Sequence, residues 1–112
     1  MRSPRILPPL AVAALSFAAF LPSLDGPFLS WDDDVNFVSN PDYRGFGWQQ
    51  LRWMLTTTLM GHWIPLTWLS FGVNYALGGI DPWGYHLGNL LLHAANAVLF
   101  YLVARRLLAA AE

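Results

Sequence analysis

Apolar residues gather at the two ends of the chain and polar ones in its middle. From Ile6 to Leu24 nineteen consecutive residues carry no charge, about 28 Å of helix against a hydrocarbon core of roughly 30 Å. A second uncharged run of eighteen residues extends from Leu87 to Ala104. This pattern predicts an all-α integral membrane chain: a flank over 1–5, a transmembrane helix over 6–24, a loop over 25–86, a second transmembrane helix over 87–104, and a flank over 105–112.

The loop has its own periodicity. After a turn at Gly45 to Gly47, the residues Trp48, Leu51, Leu55 and Leu59 recur at helical spacing, with Gln49, Gln50, Arg52 and Thr56 off the stripe, and Gly61 closes the predicted helix. Pro65 then suits the first turn of another helix, running through Leu77 to the stop signal Gly78-Gly79. Thirteen residues make about 20 Å, too short to cross a bilayer, so an interfacial or re-entrant helix is expected. Extended from Trp63 to Ile80, the same element reads as a third span that would put the C-terminus outside. All six tryptophans lie between the two apolar runs (Trp31, Trp48, Trp53, Trp63, Trp68 and Trp83), as expected for rings at headgroup level on a loop lying along the membrane.

Composition narrows the class. Of 112 residues, 55% are apolar and 12% charged, where soluble domains carry about 25% charged residues. An ordinary soluble enzyme is excluded. Without cysteine there are no disulfides or thiolate zinc sites, and six arginines with a net charge of -1 build no field for nucleic acid.

The arginines also set the expected orientation. Arg2 and Arg5 precede the first run and Arg105 and Arg106 follow the second, while the loop holds Asp25, Asp32, Asp33, Asp34, Asp42 and Asp81 against Arg44 and Arg52. Positive charge marks the cytoplasmic side, so both termini are expected there, the loop is external, and the third-span alternative is disfavoured. A cleaved signal peptide is the alternative for the first run, although no clean A-x-A site precedes Asp25.

The sharpest chemistry sits at Trp31-Asp32-Asp33-Asp34. One reading is a solvated acidic turn. Calcium is another, because Asp32, Asp34 and Asn36 have EF-hand spacing, but Phe37 stands where that loop needs glycine and Tyr43 where it needs glutamate. General base catalysis is the third, a carboxylate taking a proton from an acceptor hydroxyl.

Several ordered blocks carry a resemblance: Trp31-Asp32-Asp33, Asn40-Pro41, the stretch from Gly61-His62-Trp63-Ile64-Pro65 to Ser70, and the stretch from Gly84-Tyr85-His86 to Asn96. From about Phe28 to Arg106 the chain resembles the N-terminal part of bacterial membrane glycosyltransferases with C-terminal tetratricopeptide repeats, themselves similar to the animal transmembrane O-mannosyltransferases. The resemblance implies a GT-C type enzyme with many membrane helices, a polyprenyl-phosphate sugar donor and a catalytic acid in the first external loop. Aligned on Asn40-Pro41-Asp42, the family's acidic pair falls on Asp32 or Asp33 as base, with Asp34 an extra acid. His62 is the candidate for phosphate binding, displaced because related bacterial sequences often read Asn-Trp-His-Pro where this chain has Gly61-His62-Trp63-Ile64-Pro65.

Three further groups are candidates for binding. Arg44 and Arg52 either hold donor phosphate or pair with Asp32 to Asp34. His86, Asn89, His93 and Asn96 share one helical face, which reads as a packing stripe against further helices or, at His86, as a substrate contact. The Gly45-Phe46-Gly47 turn lacks the continuation of a nucleotide-binding loop.

Together these features predict the first part of a polyprenyl-phosphate-sugar-dependent O-mannosyltransferase-like enzyme in the bacterial inner membrane. The expected acceptor is a protein or glycan hydroxyl. No cofactor is specified, although a divalent cation could help neutralise the leaving phosphate. Two spans enclose no cavity, so the chain is expected to need downstream helices and repeats and to be inactive alone. The competing expectation is a small non-enzymatic membrane hairpin that binds a protein or lipid partner.

Overall fold

A computed structural model of the chain describes residues 5–111. Arg2 and Glu112, and with them most of the predicted N-terminal flank, lie outside the described residues. Four α-helices follow one another: α1 (Leu7–Phe20), α2 (Trp48–Thr56), α3 (Pro65–Gly78) and α4 (Pro82–Ala110). Short 3-10 turns occupy Leu21–Asp25 and Leu59–Gly61, a single wide turn spans Asp34–Val38, and there is no strand among the described residues. The chain divides into two compact units. One is the loop, Asp25–Gly88, and the other groups the chain's two ends, up to Leu24 and from Asn89.

In the terminal unit, α1 has no buried residue. With the 3-10 turn that continues it, it forms a nineteen-residue segment, Leu7–Asp25, long and apolar enough to cross a membrane. The 29-residue α4 meets the same criterion. Only 11% of the apolar window of α4 is buried, and none of that of Leu7–Asp25, so neither is the covered core helix of a soluble domain. Leu90 and Ala94 are the buried positions on the later part of α4, and His93 presents its ring edge to Phe20 with centroids 4.8 Å apart.

Helix α4 starts ahead of the uncharged run. The helix begins at Pro82, five residues before the predicted span, because Asp81 caps it: its Oδ1 accepts the Trp83 N–H at 3.1 Å. Asp81-Pro82 is a start signal in its own right, independent of the apolar run. His86 lies on α4, as its helical spacing with Asn89, His93 and Asn96 predicts.

The loop unit packs around Phe37, Tyr43, Met54, Trp68 and Tyr85, with Leu51, Trp53, Phe71 and Tyr75 against them. Pro65 at the first position opens α3, and Gly79, with φ of 67°, closes it by donating its N–H to Tyr75 O at 2.8 Å. Helices α2 and α3 approach closely at Gly72, where a Cβ would stand 3.1 Å from Met54 Cε and 3.2 Å from the Phe46 ring.

Two expectations fail here. The helix predicted to run to Gly61 stops short, and its stripe is divided, with Leu51 packed against the core. Met54 is buried and Leu51 half-buried, whereas Trp48 and Leu55 point outward, and the helix ends at Thr56, so Leu59 is not on it. Thr57 turns extended with its N–H on Trp53 O at 2.8 Å. Three consecutive β-branched threonines, Thr56 to Thr58, resist helical continuation, and the indole N–H of Trp63 takes the Leu55 carbonyl at 2.7 Å that a further turn would have used. Nor do the six tryptophans act as one belt. Trp31, Trp48 and Trp63 are exposed, but Trp68 is 1% exposed and stacks edge-on against Trp53 at 4.8 Å.

Candidate functional site

The acidic residues lie at the start of a helical segment whose buried plug is Phe37. Its ring meets Phe71 at 4.8 Å and Tyr85 at 4.7 Å between centroids. The turn is wide, with Ser39 N–H reaching back to Asp34 O at 2.9 Å. This leaves the Asn36 carbonyl for the Asn40 side-chain amide, which donates to it at 3.2 Å. Asn40 Oδ1 in turn accepts the Asp42 N–H at 3.1 Å, an Asx-turn in which Pro41 sets the backbone. Asn40 is 6% exposed. The Asn40-Pro41-Asp42 block is thus a structural corner that delivers Tyr43 into the core, where its hydroxyl meets that of Tyr85 at 2.6 Å.

The three aspartates differ in their surroundings. Asp32 is exposed. Asp33 is half-buried and its Oδ2 accepts the Leu29 N–H at 2.8 Å, which fixes the carboxylate while leaving the second oxygen uncommitted to that bond. Asp34 is exposed and borders a cleft of about 360 Å³ whose walls include Ser39, Asp42, Trp53 and Leu59.

Arg44 is placed differently from either expectation. Its Nη2 donates to the carbonyls of Phe37 and Val38, both at 2.8 Å, and its guanidinium lies 5.5 Å over the Tyr75 ring. Cationic groups at the end of a helical turn satisfy its last carbonyls. Arg44 therefore fastens the end of the acidic segment to α3, and these bonds go to backbone and ring, not to Asp32 to Asp34. Its position two residues beyond the Asx-turn brings the guanidinium back over the carbonyls.

His86 is tied to Gly26, with its Nε2 3.0 Å from that carbonyl oxygen. The half-buried imidazole ties the start of α4 to the start of the loop unit. Asn89, His93 and Asn96 are exposed. Arg52 lies exposed on α2, its own carbonyl accepting the Thr56 hydroxyl at 2.7 Å, and His62 is exposed after the Leu59–Gly61 turn. Asp33, Arg44 and His86 are thus all drawn onto the backbone of the loop unit, whereas Arg52 and His62 are left at its surface.

Comparison with known proteins covers most of the chain. The chain is 38% identical to the fruit fly protein O-mannosyl-transferase Tmtc1 over 106 residues, covering 86% of this chain and 12% of that protein. It is 38% identical to the fruit fly Tmtc2 over 109 residues, 89% of this chain and 12% of the relative. Human TMTC2 is 37% identical over 99 residues, with 81% and 12% covered.

The chain is similar to animal protein O-mannosyl-transferases.

It spans about an eighth of the length of these relatives. No family model matches the chain, and no solved structure does. The likeness to the O-mannosyl-transferases takes in most of the chain and so reaches the loop unit as well as flanking helix, which apolar composition alone would not require.

Proposed function

We propose that this chain is the part of a GT-C type, polyprenyl-phosphate-sugar-dependent O-mannosyltransferase that carries its catalytic base. The observation that supports this most is the similarity to enzymes named protein O-mannosyl-transferases over 81–89% of the chain. In this reading α1 and α4 cross a bacterial inner membrane with both ends cytoplasmic, and the acidic segment meets the substrates on the outer side. The excess of arginine at the ends supports that orientation.

Asp33 or Asp32 removes the proton from an acceptor hydroxyl, whose oxygen attacks the anomeric carbon while the lipid phosphate departs with the bonding electrons. Asp33 is the better prepared of the two. The Leu29 N–H holds one of its oxygens and so orients the other. Arg44 serves the reaction by fixing the segment, so contact with the donor phosphate falls to the exposed Arg52 and His62. Helices and repeats beyond this segment complete the cavity.

Glycosyl transfer by the parent enzyme in membranes tests the base. Asp33→Asn is expected to lower the transfer rate by about a hundredfold to ten-thousandfold, and Asp32→Asn by less. Undiminished transfer in both variants overturns the assignment.

A further inference from the structure

Helix α3 is apolar on two sides, and the core of the loop unit covers one of them. Trp68 and Gly72 are buried there, with Leu69, Phe71 and Tyr75 packed against the core. On the other side Leu66, Val73 and Leu77 recur at i, i+7 and i+11 and form one outward stripe, Leu66 79% and Leu77 85% exposed. We propose that this stripe is a lipid-contact surface: α3 lies along the membrane with Leu66, Val73 and Leu77 among the acyl chains.

The side chains of α3 suit that medium. No charged residue occurs from Trp63 to Ile80, and a helix that is apolar all round is one covered by protein or by lipid. Its polar groups leave the stripe clean. The Ser70 hydroxyl donates to Thr67 O at 2.7 Å, so it is satisfied within the helix, as hydrocarbon requires. Asn74 lies off the stripe with its amide against Gly88, where a Cβ would stand 2.7 Å from its Oδ1.

Continuity supplies the occupant. The loop unit is joined without a linker, at Leu24-Asp25 and at Gly88-Asn89, to the two segments long enough to cross a membrane. Lipid is therefore within reach of its surface. The fourteen residues of α3 make about 21 Å, short of the roughly 30 Å hydrocarbon core. Exposed Trp63 before the helix and exposed Trp83 beyond it hold both ends at headgroup depth, which sets α3 along the surface instead of end-on. Helix α2 is different. It turns Gln49, Arg52 and Thr56 outward beside Trp48 and Leu55, a mixed face that fits water and headgroups but not acyl chains. The loop unit thus has a lipid side and a water side. This inference needs α1 and α4 to cross the bilayer, as in the reading above, but not the glycosyl-transfer chemistry.

The sequence has no cysteine, so single cysteines carrying a nitroxide test the stripe directly. Leu66→Cys, Val73→Cys and Leu77→Cys are labelled in the full chain in phosphatidylcholine–phosphatidylglycerol nanodiscs, with Gln49→Cys on α2 and Phe100→Cys on α4 as references. All five side chains are exposed, and circular dichroism checks that each variant keeps its helices. Paramagnetic resonance then reads collisions with oxygen, which concentrates in acyl chains, and with a nickel chelate, which stays in water. The ratio of oxygen to nickel collisions on the stripe is expected to be at least about tenfold that at Gln49→Cys, because a polar chelate is disfavoured in hydrocarbon. It should approach the ratio at Phe100→Cys. Nickel access on the stripe equal to that at Gln49→Cys, with Phe100→Cys in lipid, overturns the proposal and leaves the spans standing. Nickel access at all five positions overturns both. Few collisions with either reagent on the stripe would mean that protein, not lipid, covers it, and also overturns the proposal.

Discussion

The loop unit and the terminal helices are built on opposite principles. In the loop unit, large side chains turn inward on one another: Trp68, Tyr43, Tyr85 and Met54 are each at most 2% exposed. Along α1 and the later part of α4 the large side chains turn outward, as Leu15, Phe100, Leu107 and Leu108 do. Aromatic packing defines the loop unit internally. The terminal helices satisfy their own backbone hydrogen bonds and leave their side chains for whatever apolar medium surrounds them, which is the condition a bilayer imposes. The residues with chemistry to offer are on the unit that holds its own shape.

That contrast breaks most readily at Trp68. Its replacement in Trp68→Ala removes the ring that joins Trp53, Tyr43 and Phe71 and is expected to cost about 3–5 kcal/mol. The near-ultraviolet circular dichroism of the loop unit should be lost at lower urea while the far-ultraviolet helical signal of the apolar segments persists. Simultaneous loss of both signals would show that the two regions do not differ as described.

A smaller effect is expected at the closest helix approach. In Gly72→Val the added carbons meet Met54 and the Phe46 ring, where a single Cβ already lies at 3.1–3.2 Å, and overpacking of this kind costs about 1–3 kcal/mol. Separation of α2 from α3 should appear as increased proteolysis in the Thr56 to Pro65 connection. An unchanged protease pattern and urea midpoint would mean that the two helices have room to shift.

The smallest effect sharpens the comparison from the other side. Phe100 is 77% exposed on α4, so Phe100→Ala should move the urea midpoint of the loop unit by no more than about 0.5 kcal/mol equivalent. The same truncation at Phe37, 8% exposed and in contact with four aromatic rings, is expected to cost several times as much. Equal effects at the two positions would erase the distinction between an internal core and an outward apolar surface.

Legibility followed the range of the interaction. Pro65 and Gly78-Gly79 mark α3 because helix starts and stops are set within one turn, and the structure places α3 at Pro65–Gly78. The end of α2 was missed because its terminating contact comes from Trp63, eight residues away from the carbonyl it takes. In the acidic segment, the Asx-turn at Asn40-Pro41-Asp42 closes within two residues. The Tyr43 and Tyr85 pair spans 42 positions and was not legible. The surroundings of Arg44 were not legible for the same reason: composition shows a scarce cation in an acidic loop, and only packing shows that its Nη2 meets two carbonyls and its guanidinium a ring.

Two helices long and apolar enough to cross a membrane, the acidic character of the loop between them and the likeness to glycosyltransferases all came from the order of residues alone. Each depends on runs, charges or short blocks that need no folding to be counted. Tertiary structure alone decided which tryptophan is core and which tyrosine hydroxyls meet inside it. Those outcomes depend on side chains from distant positions competing for the same buried space and the same hydrogen-bonding groups, and no local pattern encodes the winner.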